Sequence, residues 1–468
     1  MSLAEATPQI DPAENDAELA RAAHDRAFIG HPRGLGYLAF VEGCERFSYY
    51  SMQTLLVLYM VKYLLLPENI GSVWGLQWVE ANLYGGKQGQ PLASAIFGNY
   101  TALVYLTPII GGYIADRWLG RRTTLILGGL IMALGHFLMA FEATFLLALL
   151  SLVIGVGLFK GNIASQVGEL YKPDDLRRAM AFQIFYIAIN VSVIGAPLIA
   201  GTLGEKVGWH YGFGTAGIVM VAGLLIYLKA RPWLPEDARP ARRGAGPKAT
   251  LEPGDRSRIL AVVLLVPVLA IALLTNQEIF NAYLVWADEH FQLTFFGETL
   301  PTSWMITIDA ALSFAMLVAV AAFWKWRADR TGREPDELGK MMIGSLFSIA
   351  GGMCLVIAAS GQGAGKIGLF WPVMFHLLNS IGFSHMLPVS LALFTRLAPR
   401  AINATILGIY YLAFFAANQI TGIVGGWYST MDTVQFWLFH VATAVVGLVG
   451  FGLFKLFAAP KLMAPEAR

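Results

Sequence analysis

Charge is scarce in this sequence. Only 14% of its 468 residues are Asp, Glu, Lys or Arg, against 56% hydrophobic, and the mean hydropathy is +0.58. A soluble domain carries about 25% charged residues, so this balance excludes an ordinary aqueous fold and makes a lipid bilayer the natural solvent. Cysteine is scarcer still. Cys44 and Cys354 are the two present, each inside an apolar stretch, which excludes a disulfide framework and a thiolate metal site. No metal-ligand spacing, phosphate-cradling glycine loop or nucleophile elbow occurs, so neither an enzyme nor a cofactor is expected. A net charge of +2 gives no reason to expect a nucleic-acid partner. The residues from Met1 to about Arg33 lack the short apolar core and small-residue cleavage site of a secretory signal, and read as a cytoplasmic tail.

What the chain has in abundance is apolar runs of membrane length. Crossing about 30 Å of hydrocarbon takes roughly 20 residues in a helix. Such spans fall near 35–65, 95–115, 123–142, 145–168, 180–202, 212–230, 259–287, 303–325, 340–360, 369–394, 402–425 and 436–457. Lysine and arginine sort between alternate loops: 27 lie in the tails and loops of one side, and Lys87, Lys206 and Lys366 are the 3 on the other. That asymmetry puts both termini in the cytoplasm and makes the span number even. The cell's inner (plasma) membrane is the expected location.

A Pro-, Arg- and Gly-rich stretch from Arg231 to Arg258 leaves six spans on either side. The expected organisation is a cytoplasmic tail (1–34), an N-terminal six-helix bundle (35–230), a cytoplasmic linker (231–258), a C-terminal six-helix bundle (259–457) and a short cytoplasmic end (458–468). Ala115-Asp116-Arg117-Trp118-Leu119-Gly120-Arg121 after span 2 returns, one residue shorter, as Ala328-Asp329-Arg330-Thr331-Gly332-Arg333 after span 8, which suggests that the halves are repeats. The fold expected is therefore an all-α integral membrane protein of twelve transmembrane helices in two six-helix bundles, the major facilitator architecture, with its site between the halves at mid-membrane.

Ionisable residues within the spans are few, and each is a functional candidate because a charge at the bilayer centre costs from about 3 to over 10 kcal/mol. Span 1 carries Glu42, Glu45 and Arg46, whose i, i+3 and i+4 spacing sets them on one helix face. With both acids ionised the cluster is −1, so a proton or another cation would balance it. Lys160 in span 4 has the sign to pair with either acid. A carboxylate facing Arg46 and Lys160 stays ionised, whereas one that loses its partner to a substrate carboxylate is drawn to a proton; that competition would couple solute to protons. In the second half Glu278 and Asp309 add two acids, and a cavity with acids on one side and Lys160 on the other suits a zwitterion. Tyr49, Tyr50, Tyr105, Asn190, Tyr410 and Tyr411 could line a pocket. His136, His376 and His385 read as satisfied core residues rather than proton relays.

These motifs resemble the proton-coupled oligopeptide transporters, including their plant nitrate-and-peptide relatives, along nearly all twelve spans. Glu42-x-x-Glu45-Arg46-Phe47-Ser48-Tyr49-Tyr50 looks like the family's long span 1 signature. Tyr105-Leu106-Thr107-Pro108, Gly157-Leu158-Phe159-Lys160-Gly161-Asn162, Gly168-Glu169-Leu170-Tyr171 and Phe185-Tyr186-Ile187-Ala188-Ile189-Asn190 add to it. The resemblance implies proton symport of di- and tripeptides, by a chain that family analogy makes a monomer. It gives Glu42, Glu45 and Arg46 to proton coupling with Lys160 paired to them, Tyr49, Tyr50 and Tyr105 to the pocket wall, and Asn190 to the peptide backbone.

Four departures fall in the implied pocket. Many peptide-transporting members have a basic residue at the place of Gln53, where it helps hold the peptide carboxylate. Span 7 reads Gln277-Glu278 where the family reads Glu-Gln, which turns the acid by about 100° on a regular helix. Span 8 has Asp309 for the usual Asn. The span 10 acid that engages the peptide amino group falls near Phe383, beside Ser384, and is missing, which leaves Asp309 as the substitute anion. The expected substrate-binding set is Tyr49, Tyr50, Gln53, Tyr105, Lys160, Asn190, Glu278, Asp309 and Ser384. Glu42, Glu45, Arg46, Lys160, Glu278 and Asp309 form the coupling set. Another small carboxylated or zwitterionic solute is the alternative cargo; nitrate suits two acids poorly. The linker is too short for the two additional spans that many bacterial members insert, a layout closer to the eukaryotic branch.

Overall fold

The computed structural model describes residues 25–172, 175–235, 254–363, 365–399 and 403–462. Among them, twelve long helices follow one another. The first six are α1 (Arg33–Tyr59), α2 (Gly89–Ile114), α3 (Arg121–Leu138), α4 (Phe145–Glu169), α5 (Arg177–Ala196) and α6 (Trp209–Ala230). The second six are α7 (Asp255–Ala272), α8 (Trp304–Thr331), α9 (Glu337–Ser360), α10 (Phe370–Leu397), α11 (Asn403–Gly425) and α12 (Thr433–Leu453).

Nine of these are long and apolar enough to cross a membrane, and α7 becomes a tenth when joined to its continuation Leu274–Phe280, from which it is bent by 50°. The two that fall short do so for visible reasons. The middle of α1 carries Glu42, Glu45 and Arg46, and α3 opens on Arg121 and Arg122. Both occupy the place of a span in the series, and α1 is buried along almost its whole length.

Contacts divide the chain into two units. One holds the described residues of Ala4–Leu83 with Leu103–Gly246; the other holds Tyr84–Ala102 with the described residues of Pro247–Arg468. The division falls inside α2, whose first half packs with the C-terminal helices: a Cβ added to Gly422 of α11 would lie 2.8 Å from the Cα of Gly98.

Within each unit the helix pairings repeat. In the first, α1 packs on α5 and α6, and α3 packs on α4 and α6. In the second, α7 packs on α11 and α12, and α9 packs on α10 and α12. Adding six to each helix number of the first set gives the second. The closest crossings repeat as well, because small residues let membrane helices approach. A Cβ on Gly128 (α3) would meet the carbonyl oxygen of Gly155 (α4) at 2.8 Å, and one on Gly344 (α9) would meet that of Gly382 (α10) at 2.8 Å. The twin Ala-Asp-Arg turns each end on a left-handed glycine, Gly120 at φ 77° and Gly332 at φ 62°, a conformation that costs a side-chain-bearing residue about 1–2 kcal/mol.

Two features interrupt the helices. After the bend, α7 continues as Leu274–Gln277 and Glu278–Phe280, breaks at Asn281 (φ −120°, ψ −114°), and restarts as Ala282–His290. A short hairpin then pairs Thr294–Phe295 with Glu298–Thr299 ahead of α8, turning at Gly297 (φ 86°).

Candidate functional site

In the N-terminal unit the charged residues of α1 sit where helical spacing puts them, on one buried face. Arg46 Nε lies 3.0 Å from Glu42 Oε1 and 2.5 Å from Glu45 Oε2. All three are out of solvent, with side-chain exposures of 6%, 5% and 0%, so the attraction is weakly screened and the two acids share one guanidinium. Among the described residues Glu42 Oε2 and Glu45 Oε1 are buried without a protein hydrogen-bond partner, which leaves capacity for a proton on either acid.

The next cation is Lys160, on α4. Its Nζ stands 4.8 Å from the centre of the Tyr105 ring and 5.9 Å from that of Tyr49. Arg46 Cζ lies 5.5 Å from the same Tyr49 ring, which Tyr50 meets edge-on at 5.1 Å. Aromatic faces therefore hold the ammonium, at about 2 kcal/mol for a desolvated cation–π contact. Among the described residues no carboxylate forms an ion pair with Lys160, although Glu42, Glu45 and Arg46 are the charges that act on it. Two acids, one guanidinium and one ammonium sum to zero when all are ionised. An incoming carboxylate that takes Lys160 leaves one negative charge uncompensated, and a proton cancels it.

Gln53 lies on the Arg46 and Tyr49 face of α1, seven and four residues on; its Oε1 is buried without a protein partner among the described residues. Asn190 is half-buried on α5 and gives its Nδ2 to the Tyr186 carbonyl at 2.8 Å, which leaves its oxygen as an acceptor. These residues, with Glu42, Glu45, Arg46, Tyr49, Tyr50, Tyr105 and Lys160, belong to one unit.

The remaining candidates lie in the C-terminal unit. Glu278 is fully buried; its Oε1 accepts from the Ala282 backbone N–H at 3.1 Å, holding the restart of the broken helix, and its Oε2 lies 3.4 Å from His440 Nε2. The one-residue shift of this acid assumed a regular helix, and the backbone here is not regular. Asn281, at the break, gives its Nδ2 to the Thr421 carbonyl and accepts from Ser94 Oγ. Asp309 Oδ1 lies 2.9 Å from His376 Nδ1, and His376 Nε2 lies 2.7 Å from Tyr283 Oη. Ser384 is buried and gives its hydroxyl to the Ser380 carbonyl at 2.8 Å, and Phe383 beside it is half-buried.

The histidines divide. His136 bonds Ser48 Oγ, and His385 accepts from Trp324 Nε1; both are core residues. His376 and His440 instead face the two buried acids of their unit. Sequence reasoning missed both partnerships, although a histidine within a span is itself a signal.

A family model described as the Major Facilitator Superfamily matches residues 39–418. A peptide transporter of Yersinia enterocolitica is 30% identical over 475 residues, covering 86% of this chain and 89% of the relative. A di-/tripeptide transporter of Lactococcus lactis subsp. cremoris is 27% identical, covering 91% of this chain and 94% of the relative. Among solved structures, the crystal structure of a peptide transporter in complex with sulfate matches at a TM-score of 0.83 and 26% identity, over 97% of this chain and 99% of the other.

Proposed function

Because the chain belongs to the major facilitator superfamily, and within it to the proton-coupled oligopeptide transporter family, we propose that it imports di- and tripeptides together with protons by alternating access across the cell's inner membrane, with both termini in the cytoplasm. The observation that carries this reading is Lys160, held between the Tyr105 and Tyr49 rings beside a buried Glu42, Glu45 and Arg46 cluster. Lys160 receives the peptide carboxylate. Glu42 or Glu45 then takes the compensating proton, and Arg46 keeps the other acid ionised. Tyr49, Tyr50 and Tyr105 wall the ammonium, while Gln53 and Asn190 offer acceptor oxygens to the peptide amides. Glu278, Asp309 and Ser384 act from the C-terminal unit, the two acids in coupling.

Each proton carried inward gains about 2.3 kcal/mol per 100 mV of membrane potential, so one proton per peptide supports accumulation. The test compares Glu45→Gln with the wild type in liposomes. The variant should keep exchange of labelled dialanine against unlabelled dialanine and lose accumulation driven by a proton gradient. Undiminished accumulation in the variant would overturn the role of the cluster.

A further inference from the structure

The three groups Asp309, His376 and Tyr283 form a chain that peptide binding at Lys160 does not use. Asp309 comes from the first turns of α8, His376 from the second turn of α10, and Tyr283 from the helix that restarts after Asn281. The imidazole is fully buried between its partners, at 2.9 Å from the carboxylate and 2.7 Å from the phenol. Asp309 itself is 8% exposed. Phe375, Trp286, Phe291 and Trp437 surround the Tyr283 ring, so the phenol end is lined by aromatic side chains.

The ionisable neighbours can be counted element by element among the described residues. From α8 the histidine meets Asp309. From Ala282–His290 it meets Tyr283. The α9 helix brings Gly351 against Phe375 and Asn379, and its Cys354 forms no hydrogen bond with the three. From α12, Trp437 touches Tyr283, while His440 is turned to Glu278. Tyr410 of α11 bonds Ser390, further along α10. No lysine or arginine forms an ion pair with Asp309.

That inventory supplies no cation to balance an ionised Asp309. With a neutral imidazole, Nδ1–H donates to Asp309, the phenol donates to Nε2, and the chain carries −1 inside an apolar bundle without a cation. Adding one proton from water at Nε2 makes an imidazolium that donates to both partners, needs only the phenol hydrogen to turn, and brings the chain to zero. A buried net charge is costly in low dielectric; the added proton removes it, and the proton returns to water when Asp309 is engaged elsewhere. We propose that Asp309, His376 and Tyr283 form a proton-binding site of the C-terminal unit, separate from the carboxylates of α1. The inference rests on the proton-coupled reading for its use, and on geometry alone for its existence.

The direct test is ¹⁵N-histidine NMR of the full-length protein in lipid nanodiscs, titrated from about pH 8 to about pH 5, with His376→Gln identifying the signal. His376 should be the Nδ1–H tautomer at the alkaline end and become imidazolium within the window, and Asp309→Asn should remove that titration. Tyr283→Phe, which deletes only the hydroxyl at Nε2, should displace the Nε2 resonance of the neutral ring and supplies the check if Asp309→Asn does not fold. A His376 that stays neutral throughout, or titrates identically without the carboxylate, overturns the site. This readout needs no substrate, so it stands whether or not the cargo is a peptide. In liposomes, His376→Gln should lower the ratio of gradient-driven to gradient-free dialanine uptake toward about one while exchange stays within about twofold. An unchanged ratio would remove the site from coupling.

Discussion

Replacing Lys160 by alanine deletes the one ammonium that the two tyrosine rings hold beside the acidic cluster. A carboxylate brought to about 4 Å from an ammonium gains about 4 kcal/mol at an effective dielectric of about 20, an upper figure because both groups lose water on meeting. That corresponds to as much as roughly a thousandfold in affinity. The same substitution leaves Glu42, Glu45 and Arg46 at −1, so one acid holds its proton whether or not peptide is present, and the link between peptide and proton is broken. The expected result for Lys160→Ala in liposomes is a rise in KM for dialanine of at least tenfold, with loss of accumulation driven by an inward proton gradient. Lys160→Arg, which keeps the charge over the rings, should fall between the variant and the wild type. Dialanine carries the carboxylate, so its amidated form, which lacks one, should discriminate poorly between variant and wild type. A Lys160→Ala protein with KM within about threefold of wild type and normal accumulation would refute the reasoning.

Three further outcomes follow from the geometry. Tyr105→Leu removes the ring at 4.8 Å from Lys160 and should weaken dialanine transport by up to about thirtyfold, the worth of a desolvated cation–π contact of about 2 kcal/mol, while Tyr105→Phe keeps the ring and should be milder in the same uptake assay; equal damage from both would contradict the cation–π account. Gly128→Val places its Cβ 2.8 Å from the Gly155 carbonyl oxygen and should cost about 1–3 kcal/mol by forcing α3 from α4, read as a lowered melting temperature of the purified protein; an unchanged melt would contradict the close crossing. At the loop before α5, the Arg177 side chain hydrogen-bonds Asp175 and holds its carboxyl below the usual range. A depressed folded-state pKa means the stabilisation is present above the unfolded value and lost as pH falls through the folded one. The melting difference between wild type and Asp175→Asn should therefore be constant near neutrality and disappear below about pH 4, and a difference that persisted in acid would contradict the pair.

Much of the architecture is legible from the chain alone, because crossing a bilayer imposes a length on each span. Span 1 was recognisable in spite of its charges because apolar residues predominate around them, and the i, i+3, i+4 spacing of Glu42, Glu45 and Arg46 carries directly into the ion pairs of α1. The interruption of span 7 was not legible. Polar Thr275, Asn276, Gln277, Glu278 and Asn281 do mark the stretch where the backbone bends by 50° and then breaks at Asn281, but polarity alone does not separate a broken helix from site residues carried on a straight one. Nor were the partners of the two C-terminal acids. Asp309 and His376 are 67 residues apart, and Glu278 and His440 are 162 apart; which helices meet decides such pairs, and periodicity within one helix is silent on that. Lys160 shows the same limit from the other side, since its sign suggested a carboxylate while packing placed two aromatic faces under it.

The most direct test of proton-coupled peptide import is to record dialanine and protons together in liposomes containing only this protein, using labelled peptide and a pH dye sealed inside. An inward peptide gradient at equal pH should acidify the lumen in proportion to the peptide that enters, and an inward proton gradient should concentrate dialanine that unlabelled tripeptide displaces. Peptide entry without acidification would contradict the coupling, and acid-driven uptake of another carboxylated solute with none of dialanine would contradict the cargo.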